Sequence, residues 1–179
     1  MTEDEKNEYI REHLTYELLM ARYTYGMMSV PQHQLLWNAL FEAFSVHVRA
    51  LYAFLKNEKD QRNAEARDFN DKFKVKDAQS VRGALDKLNR QVLHLGKLRT
   101  SNMSEKVDLS QAARILNWIE ARVSDFVAEL SEKYKEHWLP DRADPAKDDS
   151  MMTKGPTGPA APPVPTATNH VTMVKTEVR

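Results

Sequence analysis

The chain has 179 residues, a length typical of one domain with or without a tail, and its 26 basic and 26 acidic residues give zero formal net charge. This balance argues against a strongly basic surface for nucleic acid, although a small basic patch is compatible with it. Because there is no cysteine, disulfides, thiol catalysis and cysteine-ligated zinc are excluded.

The first residues, MTEDEKNEYI, are acidic and polar, which is unlike a secretory signal peptide. The chain has no run of about 18 uncharged apolar residues, so we expect no transmembrane helix and no membrane partner. We therefore expect a cytoplasmic protein.

Two local signals mark the predicted starts of the first and second helices. Thr2 and Glu5 fit a capping box, and a first helix is predicted from there to about Met28. Pro31 suits the first turn of a second helix, which is predicted to reach about Lys56.

A charged, weakly periodic connector follows over 57–76, with one short helix predicted around 64–73. A third helix is predicted from about Asp77 to Leu98. After a polar loop, Asp108 with Gln111 resembles another N-terminal cap, and opens a fourth helix to about Trp138. Since nothing alternates with period two, the prediction is an all-α, up-and-down four-helix bundle, with the short connector helix as a fifth.

The prolines separate a tail from this bundle, because seven of the eight lie between Pro140 and Pro165. We predict a helical bundle domain over 1–139 and a disordered tail over 140–179, since the tail has few large apolar residues with which to offset its ordering entropy. Within it, GPAAPPVP is interpreted as a solvated linker, with a polyproline-II docking motif as the alternative.

The helices differ in how many apolar faces they carry. The third and fourth helices each have one apolar stripe, and Trp118 lies among the charges opposite the stripe of the fourth, so we expect it to be partly exposed. The first and second helices each have two stripes. The additional stripe of the first helix consists of Tyr9, Tyr16, Met20, Tyr23 and Met27, and that of the second of Ala39, Ala43, Val46, Ala50 and Phe54.

A bundle helix normally needs one apolar stripe, so a second one needs another partner. Tyrosine and methionine are enriched at protein interfaces, and we therefore predict a homodimer through the additional stripe of the first helix, with the second helix as a further contributor. The alternative is that the segment around 64–73 of the same chain covers this surface.

A narrow polar stripe runs along the second helix between its two apolar faces. Its members are Asn38, Glu42, Ser45, Arg49 and Lys56. We interpret it as a structural polar seam in which Glu42 and Arg49 each find a polar group on an adjacent helix or subunit. His47 lies elsewhere between the two apolar faces, where a hydrogen-bonded core histidine is the expected role.

Metal and cofactor motifs are absent from the sequence. No glutamate has a histidine three residues later, as di-iron bundles require, and no two histidines are three or four residues apart. The phosphate-loop, dinucleotide and hydrolase motifs are absent as well, so we expect neither a metal nor a cofactor.

The third helix carries a basic cluster in LNRQVLHLGKLRT. Arg90 and His94 are four residues apart and share the face opposite the apolar stripe, with Asn89 at the edge of that stripe and Arg99 near the helix end. Arginine binds phosphate through a bidentate fork and histidine exchanges protons near neutral pH, so one interpretation is an anion- or RNA-handling site. The other is an ordinary solvated face.

The stretch NALFEAFSVHVRALYAFL, followed by ARDFN and by LNRQVLHL with a later arginine, resembles a group of bacterial helical proteins that are similar to the HEPN superfamily. The resemblance covers roughly 34–100 and a trailing helix. Positions that recur in that group are matched here by His47, Arg49, Asn89 and Arg99.

The resemblance implies a dimeric, up-and-down helical bundle with a role in defence or toxin–antitoxin systems. Many HEPN proteins are metal-independent ribonucleases with an arginine and a histidine beside the dimer cleft, and others are non-catalytic. Arg90 and His94 are the nearest match to that pair, but only three residues separate them, fewer than in active members. We therefore expect a non-catalytic module that binds RNA or a protein, with a ribonuclease using Arg90 and His94 as the alternative.

Overall fold

The structure is a computed structural model that describes residues 1–57, 63–90 and 106–143. These ranges contain helices and turns and no strand, which confirms the all-α prediction. The second half of the predicted third helix, with His94 and Arg99, and the proline-rich stretch after Ala143 lie outside the described residues.

The first helix is continuous from Glu3 to Met28 and has three parts. They are α1 (Glu3–Glu8), a π-helical segment (Tyr9–Leu14) and α2 (Thr15–Met28). The predicted capping box is confirmed, because the Glu5 carboxylate accepts from the Thr2 N–H at 2.7 Å and the Thr2 hydroxyl accepts from the Glu5 N–H at 3.2 Å.

The second helix, α3, spans Gln34–Lys56. Its N-cap is His33, whose Nδ1 accepts from the Leu35 N–H at 3.2 Å. Pro31 therefore precedes the helix, and its predicted place in the first turn is wrong, because the extended backbone of His33 separates it from the helix. The helix ends at Asn57, which has a left-handed φ of 56°, a conformation that asparagine tolerates at helix ends.

Over 63–76, the described part of the connector contains one 3₁₀ turn, Ala66–Asp68, in place of the longer helix predicted around 64–73. It is nevertheless packed, because Phe69 and Phe73 are buried and both rings contact the ring of Phe126. The segment that follows the 3₁₀ turn therefore places two aromatic rings in the core without forming an α-helix.

The connector also explains why the exposure predicted for Trp118 is wrong. Trp118 is only 7% exposed. Its indole Nε1 donates to the carbonyl of Asp77 at 3.0 Å, and its ring lies 5.6 Å from that of Tyr52. The chain just after the connector, at Asp77, thus covers a residue that the pattern of the fourth helix places among charges.

The third and fourth helices are α4 (Gln79–Leu88) and α5 (Leu109–Glu129), and Asp108 caps α5 as predicted, accepting from the Gln111 N–H at 2.7 Å. The fourth helix does not run to Trp138. Leu130 leaves the helical conformation, with a ψ of 151°, and a short helix α6 (Glu132–Lys135) and a 3₁₀ turn (Pro140–Ala143) follow.

The helices run up and down around one core. Ring contacts of Tyr9 with Phe54 and of Tyr25 with Phe44 show that α2 and its π-helical extension are antiparallel to α3. Helix α5 packs against α2, α3 and α4. The single stripes predicted for α4 and α5 are buried or half-buried against the core where the structure describes them.

Packing on α2 continues past Leu139. Ala143 is fully buried, and its carbonyl accepts from the Arg22 guanidinium at 2.7 Å. Arg142 pairs with Glu12 at 3.2 Å. The last described turn is therefore part of the bundle surface. None of the described helices is both long enough and apolar enough to cross a membrane.

Candidate functional site on the seam between α2 and α3

Of the predicted Arg90–His94 site, Arg90 lies within the described residues. Arg90 lies two residues beyond the end of α4, is exposed, and donates through Nε to the Asp86 carbonyl at 3.3 Å. His94 and Arg99 lie outside the described residues, so the geometry of this pair stays a prediction.

The residues of the polar seam of α3 differ in their hydrogen-bond partners. The Arg49 guanidinium donates to the side-chain oxygen of Asn89, which joins α3 to the end of α4 and supplies the inter-helix partner predicted for Arg49. Glu42 is exposed, and within the described ranges it makes no hydrogen bond or ion pair, so its predicted partner is not found there. Asn38 accepts from Gln34 of its own helix at 2.8 Å, and buried Ser45 donates to the Phe41 carbonyl at 2.6 Å.

His47 makes a polar contact between α3 and α2. Its Nδ1 lies 2.8 Å from a carboxylate oxygen of Glu17, and the two side chains are only 13% and 29% exposed. The ring of Tyr16 meets the imidazole edge-on at 5.8 Å. The hydrogen-bonded role predicted for His47 is thus observed, with a carboxylate from α2 as its partner.

A small cleft opens beside this pair. It has a volume of about 190 Å³ and is lined by Glu17 together with Tyr9, His13, Ala50 and Phe54. Burial, with the negative charges of Glu17 and Asp68, raises the pKa of Tyr9 to about 12. The cleft is therefore an aromatic-walled groove with one carboxylate at its edge.

The arrangement orients an imidazole. The carboxylate accepts the proton that Nδ1 carries, which fixes the orientation of the ring and turns Nε2 away from Glu17. No partner for Nε2 is found within the described part of the chain. The described residues also contain no group of three or more histidine or acidic side chains that could hold a metal ion.

Glu17 was not among the residues predicted for the site. A signal was present, because Glu17 lies between the two apolar stripes of the first helix just as His47 does in the second. Antiparallel packing of two such helices brings these polar residues together.

The predicted dimer-interface residues are placed in two groups. Tyr9 packs inside the bundle, with its ring 5.7 Å from each of Phe54 and Phe69. Tyr16 and Tyr23 are 46% and 36% exposed, and Met20 and Met27 are half-buried. The connector therefore covers one end of the additional stripes, and the other end remains open among the described residues.

The open part continues onto α3. Val46 is 50% exposed there, and Leu35 and Leu36 at the start of the helix are 73% and 50% exposed. We call this surface the α2–α3 apolar face, and its members are Tyr16, Met20, Tyr23, Met27, Leu35, Leu36, Ala39, Ala43, Val46 and Ala50.

Comparison of the chain with models of protein families, with curated proteins and with solved structures finds no match.

Proposed function

We propose that the protein is a non-catalytic helical module that assembles as a homodimer and binds a macromolecular partner, with the role in defence or toxin–antitoxin systems that its resemblance to HEPN proteins implies. The observation that supports the proposal is the α2–α3 apolar face. Soluble monomers rarely expose a contiguous apolar patch of more than a few hundred Å² without a binding role.

The composition of the face suits a second copy of the chain. Tyrosine and methionine are enriched at interface cores, and charged residues are depleted there. All ten members of the face are apolar or aromatic. Its α3 edge is bordered by exposed Asn38, Glu42 and Arg49, which matches the polar rim that surrounds such cores. A two-fold axis across the face would place α2 and α3 of each copy in contact.

Light scattering tests the dimer. We expect the wild-type chain to have twice the monomer mass and the double variant Met20→Glu, Tyr23→Glu to be monomeric, because burying a carboxylate in an apolar contact costs several kcal/mol. The matched control is Ala128→Glu, on the exposed side of α5. It should stay dimeric. A monomeric wild type, or a double variant that remains dimeric, would contradict the proposal.

The ribonuclease is retained as a second candidate because of Arg90. Its guanidinium is exposed, and within the described ranges its hydrogen bond goes to a carbonyl of its own helix, which leaves the remaining N–H groups open to a phosphate.

RNA cleavage in the presence of a chelator separates the two candidates. If the chain is a ribonuclease, His94→Ala and Arg90→Ala should abolish cleavage, since a general acid–base group contributes about 10²–10⁴-fold. Arg82→Ala, on the same helix and also exposed, is the control that should keep it. Absence of cleavage by the wild type at any concentration would leave the binding module.

A further inference from the structure

A second, larger cleft lies between α4 and the beginning of α5. Its volume is about 380 Å³, at the lower end of the range of about 300–1,000 Å³ for small-molecule sites. Helix α4 contributes Gln79, Ser80, Gly83 and Lys87 to its walls, and α5 contributes Gln111 and Arg114.

The charged residues that line the cleft within the described ranges are of one sign. They are Lys87 and Arg114, and no acidic residue of those ranges lines it. Neither cation makes a hydrogen bond or an ion pair with any described residue, whereas Arg22 and Arg142 on the same bundle pair with glutamates. Two uncompensated cations that converge on one concave surface attract an anion, because the charges add there and are partly shielded from solvent.

Two further features of the walls indicate that the cleft has room and hydrogen-bonding groups for a ligand. A Cβ built on Gly83 meets no atom within 4 Å, so the missing side chain leaves that wall open. The side-chain oxygen of Gln111 is buried without a hydrogen-bond partner in the described structure. The Gln111 side chain can therefore rotate so that its NH₂ group faces a ligand in the cleft, and no hydrogen bond of the oxygen is lost.

The donors of the cleft match a phosphate group. Arginine binds a phosphate through two parallel N–H groups, and lysine adds a point charge. The cleft also borders the first turn of α5, where the helix dipole favours negative charge, although Asp108 occupies the cap itself. Two cations balance the double negative charge of a phosphate monoester.

We propose that the cleft between α4 and α5 binds a phosphate monoester, with Lys87 and Arg114 as the residues that hold the phosphate. A cleft of this volume accommodates a ligand of about the size of a mononucleotide. The proposal does not rest on RNA cleavage or on dimerisation, since all its residues come from one chain and none belongs to the α2–α3 apolar face.

Titration calorimetry with adenosine monophosphate tests the site, with adenosine as the uncharged control. We expect the monophosphate to bind and adenosine not to bind. Lys87→Gln and Arg114→Gln should each weaken binding about tenfold or more, as expected for loss of a charged hydrogen bond. Arg82→Gln removes the same charge from the exposed side of α4, outside the cleft, and should leave the affinity unchanged.

A third variant separates loss of the cleft from loss of the fold. Gly83→Met places a side chain into the open wall, so it should abolish binding while the circular dichroism spectrum and melting temperature are retained. Equal binding of adenosine, an equal effect of Arg82→Gln, or undiminished affinity in the folded Gly83→Met variant would each overturn the proposal. So would absence of binding by the wild type.

The phosphate can come from a free small molecule or from the end of an RNA chain, and the probes distinguish these sources. An RNA octamer with a 5′-phosphate that binds more tightly than adenosine monophosphate, and loses that advantage when its end is a 5′-hydroxyl, would assign the site to RNA ends. Tighter binding of the monophosphate would assign it to a small molecule.

Discussion

Glu17 and His47 meet between α2 and α3, where neither side chain is well solvated. Removing one partner leaves the other half-buried without its hydrogen bond, and the usual cost of an unsatisfied group is about 1–3 kcal/mol. We therefore expect Glu17→Ala and His47→Ala each to lower the free energy of unfolding by about that amount.

A double-mutant cycle by urea unfolding measures the coupling between them. Adding His47→Ala to Glu17→Ala should cost little more than either change alone, because the interaction is already lost. Glu129→Ala, an exposed change on α5, should stay within about 0.5 kcal/mol of the wild type. Fully additive effects would mean that the observed hydrogen bond contributes nothing to stability.

Tyr9 gives the bundle a dependence on alkaline pH. Burial raises the pKa of its phenol from 10.0 to about 12 in the folded chain. The folded state therefore holds the proton over a pH range in which the unfolded chain releases it. The stability from this group is fully present below pH 10 and is lost as pH rises toward 12.

Tyr9→Phe removes this titration. Urea unfolding at pH 8 and at pH 11 should show that the wild type loses more stability than the variant, by about 1–1.5 kcal/mol, because pH 11 lies midway between the unfolded and folded pKa values. The comparison with the variant cancels the titration of lysines and of the other tyrosines. Parallel losses in the two proteins would show that the Tyr9 hydroxyl is solvated.

At the scale of single elements, α4 contains a replaceable glycine. Gly83 has a negative φ, as helical residues do, and a methyl group there would meet no neighbouring atom within 4 Å. Alanine is preferred over glycine in a helix by about 1 kcal/mol. We expect Gly83→Ala to raise the free energy of unfolding by about 0.5–1 kcal/mol.

Gly26→Ala in α2 provides a parallel test, since its added methyl group also meets nothing. Both variants can be compared with the wild type by urea unfolding at neutral pH. A loss of stability in Gly83→Ala alone would indicate that a neighbour approaches α4 more closely than the structure shows.

The starts of the first and fourth helices were predictable from sequence, and the end of the fourth was not. Thr2 and Asp108 are caps whose hydrogen bonds involve residues three positions away, so a local pattern suffices to identify them. The break at Leu130 has no glycine or proline to announce it. It brings the ring of Tyr134 to 5.6 Å from that of Phe69, a contact between residues far apart in the chain.

The same distinction applies to the candidate site. The additional apolar stripes of the first two helices follow from periodicity, and two residues of the first-helix stripe, Tyr16 and Tyr23, are exposed. Which part of those stripes the connector covers depends on Phe69, and the pairing of Glu17 with His47 depends on how two helices pack. Both are tertiary facts that a helical wheel does not contain.

At the scale of the whole molecule, the 3₁₀ turn Pro140–Ala143 packs on the first helix. Truncation after Leu139 removes the Ala143 carbonyl that accepts from Arg22 and the Arg142 guanidinium that pairs with Glu12. Compared with truncation after Ala143, it should lower the melting temperature by about 3–8 °C, as expected for a loss of roughly 1–3 kcal/mol.

The acid dependence of the difference in melting temperature between the two truncated chains provides a control. The hydrogen bond from Arg142 lowers the pKa of Glu12. The pair therefore contributes stability at neutral pH, and this contribution is lost as pH falls through the lowered pKa. The gap between the two truncated chains should therefore narrow in acid. Equal melting temperatures at pH 7 would show that residues 140–143 do not stabilise the bundle.

The link between Arg22 and Ala143 also bears on how the protein is made. The two residues are 121 positions apart, so at about 5–20 residues per second a ribosome adds the second roughly 6–24 s after the first. Helices α2 and α3 can pair early in that interval, but the surface that they later bury against α5 has no cover until α5 emerges. During synthesis, the nascent hairpin therefore exposes two apolar sides at once, and for those seconds it is the form of the protein most exposed to aggregation and to capture by chaperones.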